Sequence, residues 1–215
     1  VKASESNKPA AVLANAWFPH QLEQILSGAS TRIIQVSSDG VFSGKNAPYL
    51  ETDSSDCPAF YGKTKFLGEL HNGKDLTIRA SFVGPEYFPE GRSLFHWFVT
   101  QKGSVPGYSE TYFNGITSLA FAQFIHRILP HPPTGVLHVG AKETISKARF
   151  LTLIKDVFHL DGVQVQAHPT EKTDHTLHTL QSPPLFPAQS YVQMLEELSA
   201  WMKQNRAYYT HYSFL

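Results

Sequence analysis

Thr31-Arg32-Ile33-Ile34-Gln35-Val36-Ser37-Ser38-Asp39-Gly40-Val41-Phe42-Ser43-Gly44 decides the fold class. It opens with the β-branched run of a buried strand and breaks off in two serines, an aspartate and a glycine. A strand that delivers hydroxyls at its C-terminal end belongs at the carboxyl edge of a parallel sheet, where open α/β folds bind their ligands. Further along, Tyr61-Gly62-Lys63-Thr64-Lys65 puts a Tyr and a Lys at positions i and i+4. On a helix the two share a face and can address one bound molecule. A neighbouring ammonium favours the phenolate and draws a tyrosine below its reference pKa of about 10, toward the range useful for acid/base work. The pattern alone is weak, since an aromatic at a helix edge beside a solvated lysine produces it too.

The rest of the chain reads as alternating helices and strands. Residues 9–26 carry apolar positions at helical spacing, with Pro19 inside the run, so a kink or break is expected there. A strand over 31–36, a helix over 60–71, a strand over 75–79 and a short helix over 93–101 follow. A helix over 117–129, stopped by Pro130 to Pro133, precedes a strand at 135–139. Ser146 caps a helix through Phe158. The stretch 164–187 is the least regular, and a final helix runs from Ser190 to about Asn205 with an apolar stripe through Met194, Leu198 and Trp201. The pattern predicts an α/β protein.

Composition narrows the function classes. Lys plus Arg equals Asp plus Glu at 18 each, without the basic excess of a nucleic-acid binder. No apolar run is long enough to span a bilayer. The single Cys57 excludes an internal disulfide and suits a cytoplasmic protein. His175-x-x-His178 has helical ligand spacing, but no carboxylate or thiol set completes a tetrahedral site, so no metal is expected. The tail Tyr208-Tyr209-Thr210-His211-Tyr212-Ser213-Phe214-Leu215 is aromatic enough to dock, and is a candidate contact for a homo-oligomer.

Three stretches together resemble the extended short-chain dehydrogenase/reductases, in particular dTDP-4-dehydrorhamnose reductase and its nucleotide-sugar relatives. They are Ser37-Ser38-Asp39-x-Val41-Phe42-x-Gly44, Pro48-Tyr49-x-Glu51-x-Asp53, and Pro58-x-x-Tyr61-Gly62-Lys63-Thr64-Lys65-x-x-Gly68-Glu69. Asn15-Ala16-x-x-Pro19-His20, Ile78 to Pro85 and Phe113-Asn114-Gly115-Ile116-Thr117 extend the likeness. The resemblance implies a partial Rossmann-like, doubly wound parallel sheet over 1–83. It also implies a small C-terminal substrate-binding lobe over 84–215, interleaved with late Rossmann elements at about 117–140 and 190–206.

The same resemblance implies roles. Ser38 would hydrogen-bond the substrate oxygen and Tyr61 would pass the proton. Lys65 would hold the nicotinamide ribose and lower the tyrosine pKa, and Asn15 would support Lys65 through a water. Val36, Ser37, Ser81 and Val83 would line the cofactor with Tyr61 and Lys65. Asp39, Phe82, Arg92, Asn114 and Gly115 would border the substrate beside Ser38, although Asp39 also reads as the partner of its own turn. The implied activity is NADPH- or NADH-dependent reduction of a 4-keto nucleotide-linked deoxysugar, with epimerase or dehydratase chemistry and a non-catalytic nucleotide- or protein-binding relative as alternatives.

Two departures stand out. Gly40 replaces the Tyr that family members usually carry, and no Gly-x-x-Gly-x-x-Gly or Gly-x-Gly-x-x-Gly occurs anywhere in the chain. The reading that follows is a chain incomplete at its N-terminus, with the glycine loop upstream of Val1.

Overall fold

The computed structural model describes residues 2–91 and 93–215. The N-terminal part carries α1 (Lys2–Ser6), α2 (Lys8–Val12), α3 (Phe18–Ile25), β1 (Ile34–Val36), α4 (Phe60–Leu67) and β2 (Leu76–Ala80). Then come β3 (Phe82–Val83), α5 (Leu94–Val99), β4 (Gly103–Tyr108), β5 (Thr111–Phe113), β6 (Ile116–Thr117) and α6 (Ser118–Ile128). The last elements are β7 (Gly135–Val139), β8 (Ile145–Ser146), α7 (Lys147–Val157), β9 (Val163–His168), β10 (Thr173–Asp174) and α8 (Tyr191–Gln204). They form two compact units: Val1–Ser81 with Ile128–Gly140 and Asp174–Leu185, and Phe82–Arg127 with Ala141–Thr173 and Phe186–Leu215.

The first unit is built on the parallel sheet β1-β2-β7, with Ile34 opposite Leu76 and Ile78 opposite Leu137. Every residue of β2 is buried, as expected of a parallel strand covered on both faces. The strand expected over 31–36 is cut to Ile34–Val36 because side chains claim its first half. Ile33 N–H donates to the Asp75 carboxylate, and the Arg32 guanidinium donates to the carbonyls of Lys74, Pro132 and Pro133.

The expected kink near Pro19 takes a specific form. Pro19 has no N–H to give the carbonyl of Asn15 four residues back. Just before it, the helix widens into a π turn over Leu13–Trp17 that joins α2 to α3. Gly68 passes against that same Asn15 carbonyl, so closely that a Cβ at position 68 would overlap the oxygen. Gly68 also closes α4, which therefore ends at Leu67 rather than running to His71.

Within the second unit, β3 and β6 pair parallel, β5 and β8 pair antiparallel, and β4 and β9 pair parallel from Gly103↔Val163 to Tyr108↔His168. The sequence reading assigned no element to 103–108 and left 164–187 irregular. Gly103, Pro106 and Gly107 mask the strand signal, and a two-stranded sheet tolerates Pro106 because one side of each strand is unpaired. The serines at 93, 146 and 190 cap α5, α7 and α8 by accepting from backbone N–H groups. Helix α8, read from the sequence as a late Rossmann element, packs on α7 in this unit.

The aromatic tail docks on its own unit. Tyr212 lies edge-on to Phe95 and Phe214 edge-on to Phe158. The Tyr212 hydroxyl accepts from Glu86 N–H at 3.0 Å and lies 2.9 Å from His96 Nδ1. Burial pushes the Tyr212 phenol up to about 12, and burial raises Tyr191 as well. A phenol held above its unfolded pKa of about 10 contributes stability that is complete below about pH 10 and lost as pH rises through about 12. Thermal unfolding should therefore hold steady from about pH 8 to 10 and fall steeply above; a melting temperature flat to pH 12 would contradict it.

Arg79 and Glu69 form a buried ion pair in the first unit at 2.8 Å. Removing one charge strands the other, so Arg79→Met should cost about 3–5 kcal/mol in chemical denaturation, with Arg79→Met/Glu69→Leu recovering most of it.

Candidate active site

Strand β1 ends at Val36, and the two serines that follow diverge. The Ser37 hydroxyl turns inward and donates to Glu69 Oε1 at 2.6 Å. Ser38 starts a 3-10 turn over Asp39–Val41: its Oγ accepts from Gly40 N–H at 3.0 Å and donates to Asp39 Oδ1 at 3.1 Å. Asp39 is thus a partner of its own turn.

Helix α4 brings Tyr61 to this turn. A Cβ at Gly40 would lie 3.2 Å from Ser38 Oγ and 3.4 Å from Tyr61 Cε1, so the glycine leaves the hydroxyl and the ring edge uncovered. On the next turn, Gly62 lets α4 approach, since a Cβ there would overlap the Gly40 carbonyl. Burial raises the Tyr61 pKa; a hydrogen bond with Ser38 pulls it back, and the Asp39 carboxylate pushes it up again. The net shift is upward, opposite to the lowering that the Tyr/Lys spacing suggests. The reason is where the ammonium goes. Lys65 Nζ donates to the Val36 carbonyl at 2.6 Å, and burial lowers its pKa against the opposing charge of Glu69. Tyr61 therefore holds its proton at neutral pH, the state of a proton donor.

Asn15 bonds directly to Thr64, the residue before Lys65. Its Nδ2 donates to Thr64 Oγ1 at 3.1 Å, and that hydroxyl donates to the Tyr61 carbonyl at 2.9 Å. Thr64 is thus a supporting residue that sequence reasoning passed over, although its place three residues after Tyr61 allows such a back-bond to the helix. The structure brings together Val36, Ser37, Ser38, Asp39, Tyr61 and Lys65, with Asn15 joined through Thr64. Ser81 is half-buried just past β2.

The other sequence-derived positions lie in the second unit. Phe82 is exposed and stacks on Phe121 at 4.9 Å, and Val83 is buried. Asn114 is buried, with Nδ2 donating to the Ala141 carbonyl at 2.9 Å, and Gly115 is buried beside it. Arg92 lies outside the described residues.

This unit also holds a cavity of about 410 Å³ walled by Leu94, Trp97, Pro106, Tyr108 and Leu151, with Lys147 at its edge. The Lys147 ammonium stands 3.3 Å over the Phe113 ring. Sequence reasoning missed this cavity because its walls come from α5, β4 and α7, and β4 itself was unread. Among the described residues, no group of three or more His, Cys, Asp or Glu is placed to hold a metal ion, and no helix is long and apolar enough to cross a membrane.

Because Asp39 disfavours the phenolate, Asp39→Asn should lower the Tyr61 titration midpoint. Carbon-13 tyrosine NMR, assigned with Tyr61→Phe, measures it; an unmoved midpoint would remove the Asp39 charge from the account.

The chain is similar in sequence and in fold to known proteins. Residues 1–87 match the RmlD substrate binding domain. The chain is 27% identical over 170 residues to methionine adenosyltransferase 2 subunit beta of Xenopus tropicalis, covering 73% of this chain and 51% of that protein. It is 39% identical over 93 residues to dTDP-4-dehydrorhamnose reductase of Burkholderia thailandensis, covering 39% of this chain and 30% of that protein. The chain thus spans about half the length or less of the curated relatives it matches. The solved structure of dTDP-4-dehydrorhamnose reductase from Bacillus anthracis, in complex with NADP, superposes with a TM-score of 0.79 at 18% identity, covering 92% of this chain and 75% of that one. Residues 1–87 thus resemble the RmlD substrate binding domain, and the chain has the Rossmann-like α/β fold seen in dTDP-4-dehydrorhamnose reductases and in related dehydratases and epimerases.

Proposed function

We propose that this chain carries the proton-transfer site of an NAD(P)-dependent reductase acting on a 4-keto nucleotide-linked deoxysugar. The observation that carries the reading is the Ser38–Tyr61 pair: a half-buried phenol kept protonated, with its ring edge and a serine hydroxyl both beside Gly40 at the carboxyl end of a parallel strand. Reduction of a ketone creates an alkoxide, which needs hydrogen-bond donors and a proton source beside it. Ser38 orients the carbonyl oxygen, and Tyr61 gives its proton to the alkoxide. The phenolate left behind regains a proton from solvent.

A nicotinamide cofactor, when bound, supplies the hydride, which no side chain carries. The site fits one end of such a molecule. Tyr61 and Lys65 stand one helical turn apart at the carboxyl end of β1, where a ribose hydroxyl could take a second Lys65 N–H beside the one given to Val36. The Ser37 hydroxyl gives its proton to Glu69, so Ser37 would line the cofactor without donating to it. No residue of this chain is assigned to the pyrophosphate, since the sequence holds neither glycine pattern. The NADP complex of the Bacillus anthracis reductase supports a nicotinamide cofactor here.

In this reading the first unit carries the reacting pair, and the second unit has a cavity of its own. The cavity beside Trp97 and Tyr108 offers flat apolar walls for a nucleobase, and Lys147 offers a cation for a phosphate. A second reading, a relative that binds a protein partner, is favoured by the Xenopus tropicalis protein, a methionine adenosyltransferase subunit. The two separate cleanly. With a 4-keto dTDP-deoxysugar and NADPH, Tyr61→Phe should lower kcat by about 10²-fold or more while NADPH affinity stays within about twofold. Turnover unaffected by the change would remove Tyr61 from the chemistry.

A further inference from the structure

We infer that Glu69 is a positioning residue that sets Ser38 against Tyr61, acting through Ser37. The inference rests on the reading of Ser38 and Tyr61 as the reacting pair. Strand β1 is short, pairing with β2 through Ile34, Gln35 and Val36 only. Beyond Val36 the ladder stops, apart from Ser37 N–H donating to the Ile78 carbonyl at 2.7 Å. Within its own turn the Ser38 hydroxyl is held by Gly40 N–H and Asp39 Oδ1, but the turn itself needs an anchor at the end of β1.

The segment that carries Tyr61 supplies it. Lys65 grips the carbonyl of Val36 at 2.6 Å, and Glu69 grips the hydroxyl of Ser37 at 2.6 Å. Two consecutive residues at the end of β1 are therefore clamped by charged groups from one short stretch, and the next residue is Ser38. The Glu69 carboxylate cannot swing. Arg79 Nε donates to its Oε1 at 2.9 Å and Nη2 to its Oε2 at 2.8 Å, a planar fork that fixes both position and tilt. Glu69 and Arg79 are 2% and 1% exposed, so water does not compete for these bonds. Neutralising Glu69 requires Arg79 but not Ser37. The Ser37 bond does something further: it transmits the position of a rigid buried pair to the backbone immediately before Ser38.

Ser37→Ala tests this while leaving the Glu69–Arg79 pair whole; Glu69→Gln is a second variant that weakens both bonds. In the full chain, thermal unfolding and circular dichroism should show Ser37→Ala folded. Carbon-13 tyrosine NMR should then show the Tyr61 midpoint displaced further upward, because the Ser38 hydrogen bond that pulls it down has loosened. In turnover, kcat should fall about tenfold with KM within about twofold, the pattern of a misplaced rather than a missing group. A folded Ser37→Ala protein with the wild-type Tyr61 midpoint overturns the inference. The NMR measurement needs no turnover, so it stands apart from the catalytic reading, which fails on the Tyr61→Phe kinetics instead.

Discussion

The first unit is organised around one buried cation. Arg79 lies on the central strand β2, almost fully enclosed, and a guanidinium in that position must find a partner for its donors or destabilise the fold. It finds them on every side. Glu69 takes the fork from just past α4, the carbonyls of Glu51 and Asp53 lie 3.4 Å from Nη1, and His138 Nε2 on β7 lies 3.3 Å away. Phe42 and Phe66 cover the flat faces at 5.1 and 5.8 Å. With its Nε2 facing the guanidinium, His138 directs Nδ1 toward the carbonyls of Tyr49 and His178. Burial then keeps its pKa low, against the charge of Glu51. Helix, strand, loop and the 174–185 segment thus meet at one charge, and none of their positions is independent.

The proton donor is built on that framework by exclusion as much as by contact. Gly62 and Gly68 allow α4 to press against the 3-10 turn and against the Asn15 carbonyl, which buries Tyr61 and raises its pKa. A phenol that keeps its proton until an alkoxide forms is the useful state for reduction, whereas one already ionised would have nothing to give. The engagement of Lys65 with Val36 belongs to the same logic, because an ammonium spent on a carbonyl does not draw the proton off early.

Legibility from sequence followed the range of the interaction. Helix starts at Ser93, Ser146 and Ser190 were readable because a cap is a bond between residues two or three apart. Strand β7 was readable from a short apolar run. Strands β4 and β9 were not, because their pairing joins segments about sixty residues apart and Pro106 and Gly107 carry the opposite local signal. The site divides the same way. Ser38, Tyr61 and Lys65 stand in a local motif with roles attached, while Thr64 and Glu69 stand in the same motif without one, since what matters about them is the partner each meets.

Sequence alone determined the α/β class, the helix that carries Tyr61 and Lys65, and the strand end that carries Ser38, because periodicity, capping and motif spacing are properties of neighbouring residues. Tertiary structure alone decided which group each side chain serves. It gave Lys65 to Val36, Ser37 to Glu69 and Asn15 to Thr64, and it turned the tyrosine pKa upward instead of down. The physical reason is that desolvation and hydrogen-bond partnership are set by what the fold packs around a group, and those neighbours come from residues far away along the chain.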